Sequence, residues 1–199
     1  MSLVSVGTVA FDAIETPFGK TDKIIGGACT YISLAASFFQ KGAKIISVVG
    51  GDFPQKTLDM FSEKGINTEG LQIIKEGKTF FWSGKYHLDM NTRDTLDTQL
   101  NVLETFDPIV PNSYQDCDYL MLGNLTPAVQ LSVIERLQKK PKLIVLDTMN
   151  FWMEIALDDL KKVIKKVDVL TINDEEARLL TGANSLVKAA KQILTMGPK

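Results

Sequence analysis

Histidine, cysteine and long apolar runs are scarce in this chain of 199 residues, and each shortage excludes a class of function. One histidine, His87, and two cysteines, Cys29 and Cys117, with no CxxC pair, leave nothing to build a disulfide framework or a Cys/His zinc site. A reducing cytoplasm is the expected compartment. No stretch approaches 18 consecutive apolar residues, and the N-terminus lacks the basic-then-apolar pattern of a leader, so neither a membrane partner nor export is expected. Without a leader, the glycosylation-like Asn124-Leu125-Thr126 is read as chance. Charge of one sign is also missing: 22 Lys and Arg stand against 24 Asp and Glu, net −2, so no positive field gathers a phosphate backbone. Nucleic acid is not an expected partner. GxSxG, HExxH and GxGxxG do not occur. Gly77-Lys78-Thr79 imitates a P-loop tail, but position 72 is Gln72 where a glycine is required, and a strand follows. Met1-Ser2-Leu3 is set aside as a cloning remnant.

What is present is ordinary globular composition, 45% hydrophobic and 23% charged, with 14 Gly and 7 Pro, at a length suited to one large domain. Residues 3–9 form a β-branched run that reads as a buried strand and opens into Ala10-Phe11-Asp12, placing Asp12 just past a strand end. Helical spacing follows over 28–40, a stop at Gly42, a strand over 44–49 and a helix over 54–64 closed by Gly65. The alternation returns as strand 119–122, helix 127–139, strand 142–146, helix 155–165, strand 167–172 and helix 174–180. Thr126-Pro127 supplies an N-cap hydroxyl and a first-turn proline. Alternating strands and helices of these lengths imply βαβ units, a mostly parallel sheet covered on both faces.

Between 71 and 102 the pattern becomes aromatic or period-two, which predicts a small antiparallel sheet inserted into the α/β domain, with a contribution from 14–25. Such a sheet is too small for its own core. It reads as a lid over a ligand or as a plate pairing with a second copy, and the two are compatible. At the far end, residues 184–196 read as a crossover helix closed by Gly197-Pro198, with no further strand. Two readings stand: a fragment, or a genuine end on a helix.

Gly26-Gly27 precedes the helix near Cys29, where paired glycines allow a ligand close to backbone amides or make a simple turn. Val48-Val49-Gly50-Gly51-Asp52 carries the same pair of readings. Asn173-Asp174-Glu175-Glu176 follows an apolar strand and opens a helix: the acids cap it, or Asn173 and Glu176 orient a hydrated Mg²⁺ ion and nucleotide phosphates. Asp147-Thr148-Met149-Asn150 closes another strand similarly, which makes four acidic strand ends. His87 is read as a surface or lid residue, Phe38-Phe39 as core, and Lys161-Lys162 with Lys165-Lys166 as a solvated face.

These residues together resemble the N-terminal two-thirds of a ribokinase-like (PfkB) carbohydrate or nucleoside kinase. Val6-Gly7-Thr8-Val9-Ala10-Phe11-Asp12 is similar to the first strand and its substrate aspartate. Gly26-Gly27 resembles the di-glycine motif, Val49-Gly50-Gly51-Asp52 the second-strand signature, and Asn173-Asp174-Glu175-Glu176 the N-x-x-E motif. Ile14-Glu15-Thr16-Pro17-Phe18-Gly19 and Met90-Asn91-Thr92-Arg93-Asp94-Thr95 lean toward the nucleoside-kinase branch. The resemblance implies a three-layer αβα fold with an inserted β-lid, and transfer of the γ-phosphoryl group of ATP, with Mg²⁺, to a hydroxymethyl group of a sugar or ribonucleoside. It implies that Asp12, Gly26, Gly27, Tyr31 and Asn124 bind substrate, that Asn173 and Glu176 serve the nucleotide, and that Glu176 serves the metal.

Two departures qualify it. Tyr31 stands where the family usually has asparagine, so an aromatic able to stack replaces an amide. The Gly-Ala-Gly-Asp run that carries the catalytic base is absent from 1–199, which places the base beyond Lys199 and predicts an inactive fragment. The alternative from another class is a sugar or nucleoside sensor without catalysis. A dinucleotide-dependent oxidoreductase is disfavoured by the missing phosphate fingerprint.

Overall fold

The computed structural model describes residues 2–90 and 92–199; Met1 of the N-terminal tripeptide and Asn91 of the 90–95 stretch lie outside the described residues. In chain order the elements are β1 (Leu3–Val6), β2 (Ala10–Thr16), β3 (Gly19–Lys20), β4 (Ile24–Gly26), α1 (Ala28–Ser37), β5 (Lys44–Gly50), α2 (Gln55–Glu63) and β6 (Asn67–Ile74). They continue as β7 (Phe81–Tyr86), β8 (Arg93–Gln99), β9 (Tyr119–Leu122), α3 (Pro127–Arg136), β10 (Leu143–Asp147), α4 (Asn150–Ile155), α5 (Leu157–Ile164), β11 (Val169–Thr171), α6 (Asp174–Thr181) and α7 (Leu186–Leu194). The fold is three-layer α/β, with a mostly parallel central sheet and a small mixed sheet. The chain divides into two compact units, residues 7–109 and the remainder.

In the unit built from β1 and residues 110–199, the strands run parallel in the order β11-β10-β9-β1. Val4, Leu120 and Ile144 lie side by side in register and are almost wholly buried, which is why these strands read as apolar runs rather than alternating ones. Helix α5 shows how the covering layer is made. Leu160, Val163 and Ile164 recur at helical spacing and are fully buried, while Asp158 and Asp159 open the helix and Lys161 and Lys162 close it, each on the side the helix dipole favours. Helix α3 starts at the expected Pro127, but the Thr126 side chain makes no capping bond; its carbonyl takes the Val129 and Gln130 amides.

The unit of residues 7–109 contains the parallel pair β5-β6 and a second sheet ordered β3-β2-β7-β8, with β4 also on β2. Phe11, Cys29, Ile45, Val49, Phe61 and Leu71 form its core. The second sheet departs from the expected one in composition and sense. Leu71–Ile74 belong to β6, beside β5, and the expected run 3–9 breaks after Val6, because two buried strands in succession give the same apolar signal as one. β2 and β7 are parallel, so the sheet is mixed, not antiparallel: β3, β4, α1, β5, α2 and β6 intervene and return the chain in the same direction. Phe38 and Phe39 are 78% and 90% exposed rather than core, because α1 ends at Ser37 and the chain turns outward, leaving the Lys64 ammonium 5.6 Å over the Phe38 ring. No helix among the described residues is long and apolar enough to cross a membrane.

Candidate active site

Asp12 lies inside β2, paired with Ile24 of β4, and not beyond a strand end. Alternation along the strand sends Phe11 into the core and the half-buried Asp12 to the other face. Gly26 has room for no side chain there: a Cβ would stand 2.0 Å from Asp12 Oδ2 and 2.3 Å from its Cγ. Gly27, at φ 95°, turns the chain into α1, and a Cβ on it would meet the Thr8 carbonyl oxygen at 2.3 Å. The paired glycines are therefore seats, one for a carboxylate and one for backbone.

Three successive amides at the entry to α1 are taken by this constellation. Gly27 N–H donates to the Asp12 carboxylate, Ala28 N–H to Thr8 Oγ1 at 3.1 Å, and Cys29 N–H to the Thr8 carbonyl at 2.9 Å. Sequence reasoning missed Thr8, although a hydroxyl residue 20 positions before a helix start carries no local signal. Burial pushes the Asp12 carboxyl above the ordinary aspartate value, and the Gly27 N–H pulls it part of the way back. Tyr31, one turn into α1, is 58% exposed, and its hydroxyl donates to the Ile25 carbonyl at 3.3 Å.

Gly50, Gly51 and Asp52 resolve as a junction. A Cβ on either glycine would stand within 2.4 Å of a carbonyl in the 75–78 segment, and Gly51 N–H donates to the Ile74 and Gly77 carbonyls. Burial would raise the Asp52 carboxyl, but the Thr79 hydroxyl and amide, with Lys23 at 3.1 Å, together hold it below the usual carboxylate range. His87, half-exposed on the small sheet, faces Asp94 at 3.0 Å.

In the other unit, Asn124 follows β9. Its Oδ1 accepts from Trp152 Nε1 at 2.8 Å and its Nδ2 lies 3.1 Å from Met149 Sδ. Asp147, ending β10, is raised by burial, against the opposing pull of the Asn124 and Thr148 amides and the Thr171 hydroxyl. Short helix α4, not anticipated from the sequence, carries Trp152. At the start of α6, Asn173 Oδ1 accepts from Glu176 N–H at 2.8 Å, and Asn173 N–H donates to Glu176 Oε2 at 2.9 Å, a reciprocal capping box with Glu176 only 5% exposed. Both readings of this motif thus start from an observed cap. Among the described residues, no three His, Cys, Asp or Glu side chains gather closely enough to hold a metal ion.

Parallel strands separated by helices and a small mixed sheet place the chain in the class of ribokinase-fold proteins. The chain belongs to the pfkB family of carbohydrate kinases, whose pattern matches residues 2–199. It is 26% identical over 203 residues to a cytidine kinase of Thermococcus kodakarensis, spanning 100% of this chain and 71% of that relative. In fold it is similar to a nucleoside kinase of Methanocaldococcus jannaschii, an archaeal member of the ribokinase family (TM-score 0.73, 17% identity, 91% of this chain), and to a fructokinase of Halothermothrix orenii (TM-score 0.75, 18% identity, 99% of this chain). It spans 63% of the first of these structures and 77% of the second.

Proposed function

We propose that these residues form the acceptor-binding and nucleotide-binding parts of a kinase that moves the γ-phosphoryl group of ATP to a hydroxymethyl group of a nucleoside or furanose sugar, with cytidine the first acceptor to test. The observation that carries the reading is Asp12, a carboxylate kept half-buried over Gly26 and steadied by one amide. An ionised carboxylate only accepts, and takes two sugar hydroxyls well. Gly26 leaves the room that the carboxylate fills, Gly27 N–H holds it there, and Tyr31 offers an aromatic face to a base or sugar. Asn173 and Glu176 hold the start of α6 as the place for nucleotide phosphates and a hydrated Mg²⁺, which when bound neutralises charge on the transferring group. The Gly-Ala-Gly-Asp run is not among the 199 residues, so none of them is assigned the proton of the acceptor hydroxyl.

The small sheet is proposed as a lid and as the surface for a second copy, supported by β8, in which every residue is exposed. The buried thiols Cys29 and Cys117 suit the cytoplasm.

The test is calorimetric binding of cytidine, adenosine and ribose, beside ADP release from ATP with the same acceptors. The expectation is that one of them binds and that Asp12→Ala weakens it at least about tenfold, the loss of a charge-assisted bond. Binding without ADP release is the expected result for these 199 residues, ADP release would place the base among them, and no binding by any acceptor refutes the kinase and sensor readings alike.

A further inference from the structure

A cavity of about 500 Å³ lies at the carboxyl ends of α3 and α5 and the amino ends of β10 and β11, and every residue lining it belongs to the unit built from β1 and residues 110–199. That volume is within the range of small-molecule sites. Its floor is apolar and buried, made by Pro141, Ile144 and Val167. Its rim is basic: Lys139 and Lys140 follow α3, Lys165 and Lys166 follow α5, and Lys199 stands beside them. Helix carboxyl ends attract cations, but two of them amount to about one negative charge, too little to account for five ammonium groups. Asp168, the one carboxylate lining the cavity, is spent: its Oδ1 accepts from Lys199 Nζ at 3.0 Å and its Oδ2 from the Ile144 N–H at 3.1 Å. Lys139 pairs with Asp116 at 2.7 Å and Lys166 with Glu135 at 3.7 Å, exposed pairs that contribute little and yield to a stronger anion. Lys140 acts on Asp168 only through its charge, and Lys165 makes no ion pair among the described residues.

We propose that this cavity is a further ligand site and that it takes a compact polyanion, a di- or triphosphate chain whose oxygens meet the lysine ammonium groups. Lysine binds phosphate as a point charge on a long stem, so a cluster of lysines serves a chain of phosphates without a fixed angle. A concave surface lined by one sign of charge concentrates its counter-ion, and in a chain of net charge −2 the surface as a whole gives no such attraction. The phosphate chain is either free or that of a nucleotide, whose base the apolar floor would receive. The cavity opens at the other end of the strands from Asp147 and Asn173, about 13 Å along the five residues of β10, so this site goes beyond the kinase reading and does not depend on it.

The probe is tripolyphosphate, titrated calorimetrically at about 0.1 M salt, where exposed charges more than about 10 Å apart are screened. It is added to the wild type, to Lys140→Gln/Lys165→Gln and to Lys161→Gln/Lys162→Gln, each checked by circular dichroism. Both doubles remove two charges, the first from the cavity rim and the second from positions of α5 outside it, where Lys162 pairs with Asp159. The first is expected to weaken tripolyphosphate at least about tenfold, as loss of two charge-assisted contacts, and the second less than about twofold. Equal effects in the two doubles, whether both weakened or both unchanged, overturn the inference, as does absence of binding to the wild type. ATP titrated against bound tripolyphosphate then separates the sources: displacement that the first double also weakens assigns the site to a nucleotide, and tripolyphosphate that ATP leaves in place assigns it to a free chain.

Discussion

Gly26→Ala and Gly27→Ala each add one methyl group at neighbouring positions, and the structure separates their consequences. At Gly26 the new Cβ would stand 2.0 Å from Asp12 Oδ2, far inside any real contact, but the obstructing atoms belong to a side chain that can turn away. The cost is an off-rotamer carboxylate, about 0.5–1.5 kcal/mol, and the charge-assisted bond from Gly27 N–H, about 1.5–3 kcal/mol. At Gly27 the obstruction is the Thr8 carbonyl and the φ of 95° is one that L side chains rarely adopt, so helix α1 must shift or strain, with about 1–2 kcal/mol from the left-handed backbone alone and the backbone clash added to it. Gly26→Ala should therefore fold and lose acceptor binding as Asp12→Ala does, whereas Gly27→Ala should lose stability first. The decisive assay is a double-mutant cycle read by urea denaturation and acceptor Kd. In the Asp12→Ala background the carboxylate that Gly26→Ala displaces is gone, so the second substitution should cost under about 0.5 kcal/mol and leave acceptor affinity where Asp12→Ala alone put it. Additive losses would show that Gly26 serves the backbone rather than the carboxylate.

Three further outcomes follow from the charged groups. Because burial raises Asp12, the native state binds its proton more readily than the unfolded chain does, and ionising it costs stability as pH rises through the native value; Asp12→Asn should match or exceed the wild-type Tm at pH 7, lose that advantage below the ordinary carboxylate range, and bind acceptor more weakly than the wild type. A lower Tm at every pH refutes this. Glu176→Gln can still accept in the capping box and should keep its Tm while needing more Mg²⁺ for ATP binding, whereas Glu176→Ala should cost about 0.5–2 kcal/mol; unchanged Mg²⁺ dependence of ATP binding in Glu176→Gln leaves the cap as its whole role. Asp118 is held down to about 2 by Lys142 and the Ser2 amide, so its contribution is present above the ordinary aspartate value and lost as pH falls through about 2; Asp118→Asn should lower Tm at pH 7 and converge on the wild type at the acid end of a Tm titration.

Apart from the short helix α4, the strands and helices of the 119–194 stretch were legible because each carries a single period. Residues 119–122 and 174–180 read almost as they fold, since one apolar run is bounded by charge or by a cap. The small sheet was harder, because period-two alternation says that a strand has one covered face but says nothing of its partner. That β2 lies parallel to β7 follows from the course of the 60-odd residues between them, which no local pattern encodes. Phe38-Phe39 misled for a related reason. An aromatic pair at the end of an apolar helix extends the periodicity, and only the turn after Ser37 takes both rings off the buried face.

The site residues divide along the same line between local and distant causes. Asn173 and Glu176 could be read from spacing alone, since a capping box needs four consecutive residues and nothing else. Gly26 could be marked as special, but its reason could not be seen, because the carboxylate that fills its place comes from position 12 and reaches it only once β2 and β4 pair. Asn124 is the far case. Its orientation depends on an indole 28 positions away, on a short helix that follows a strand end rich in polar residues. A sequence can show that an amide is available; which way its two ends point is decided by the donor-only group behind it, and that is a property of packing.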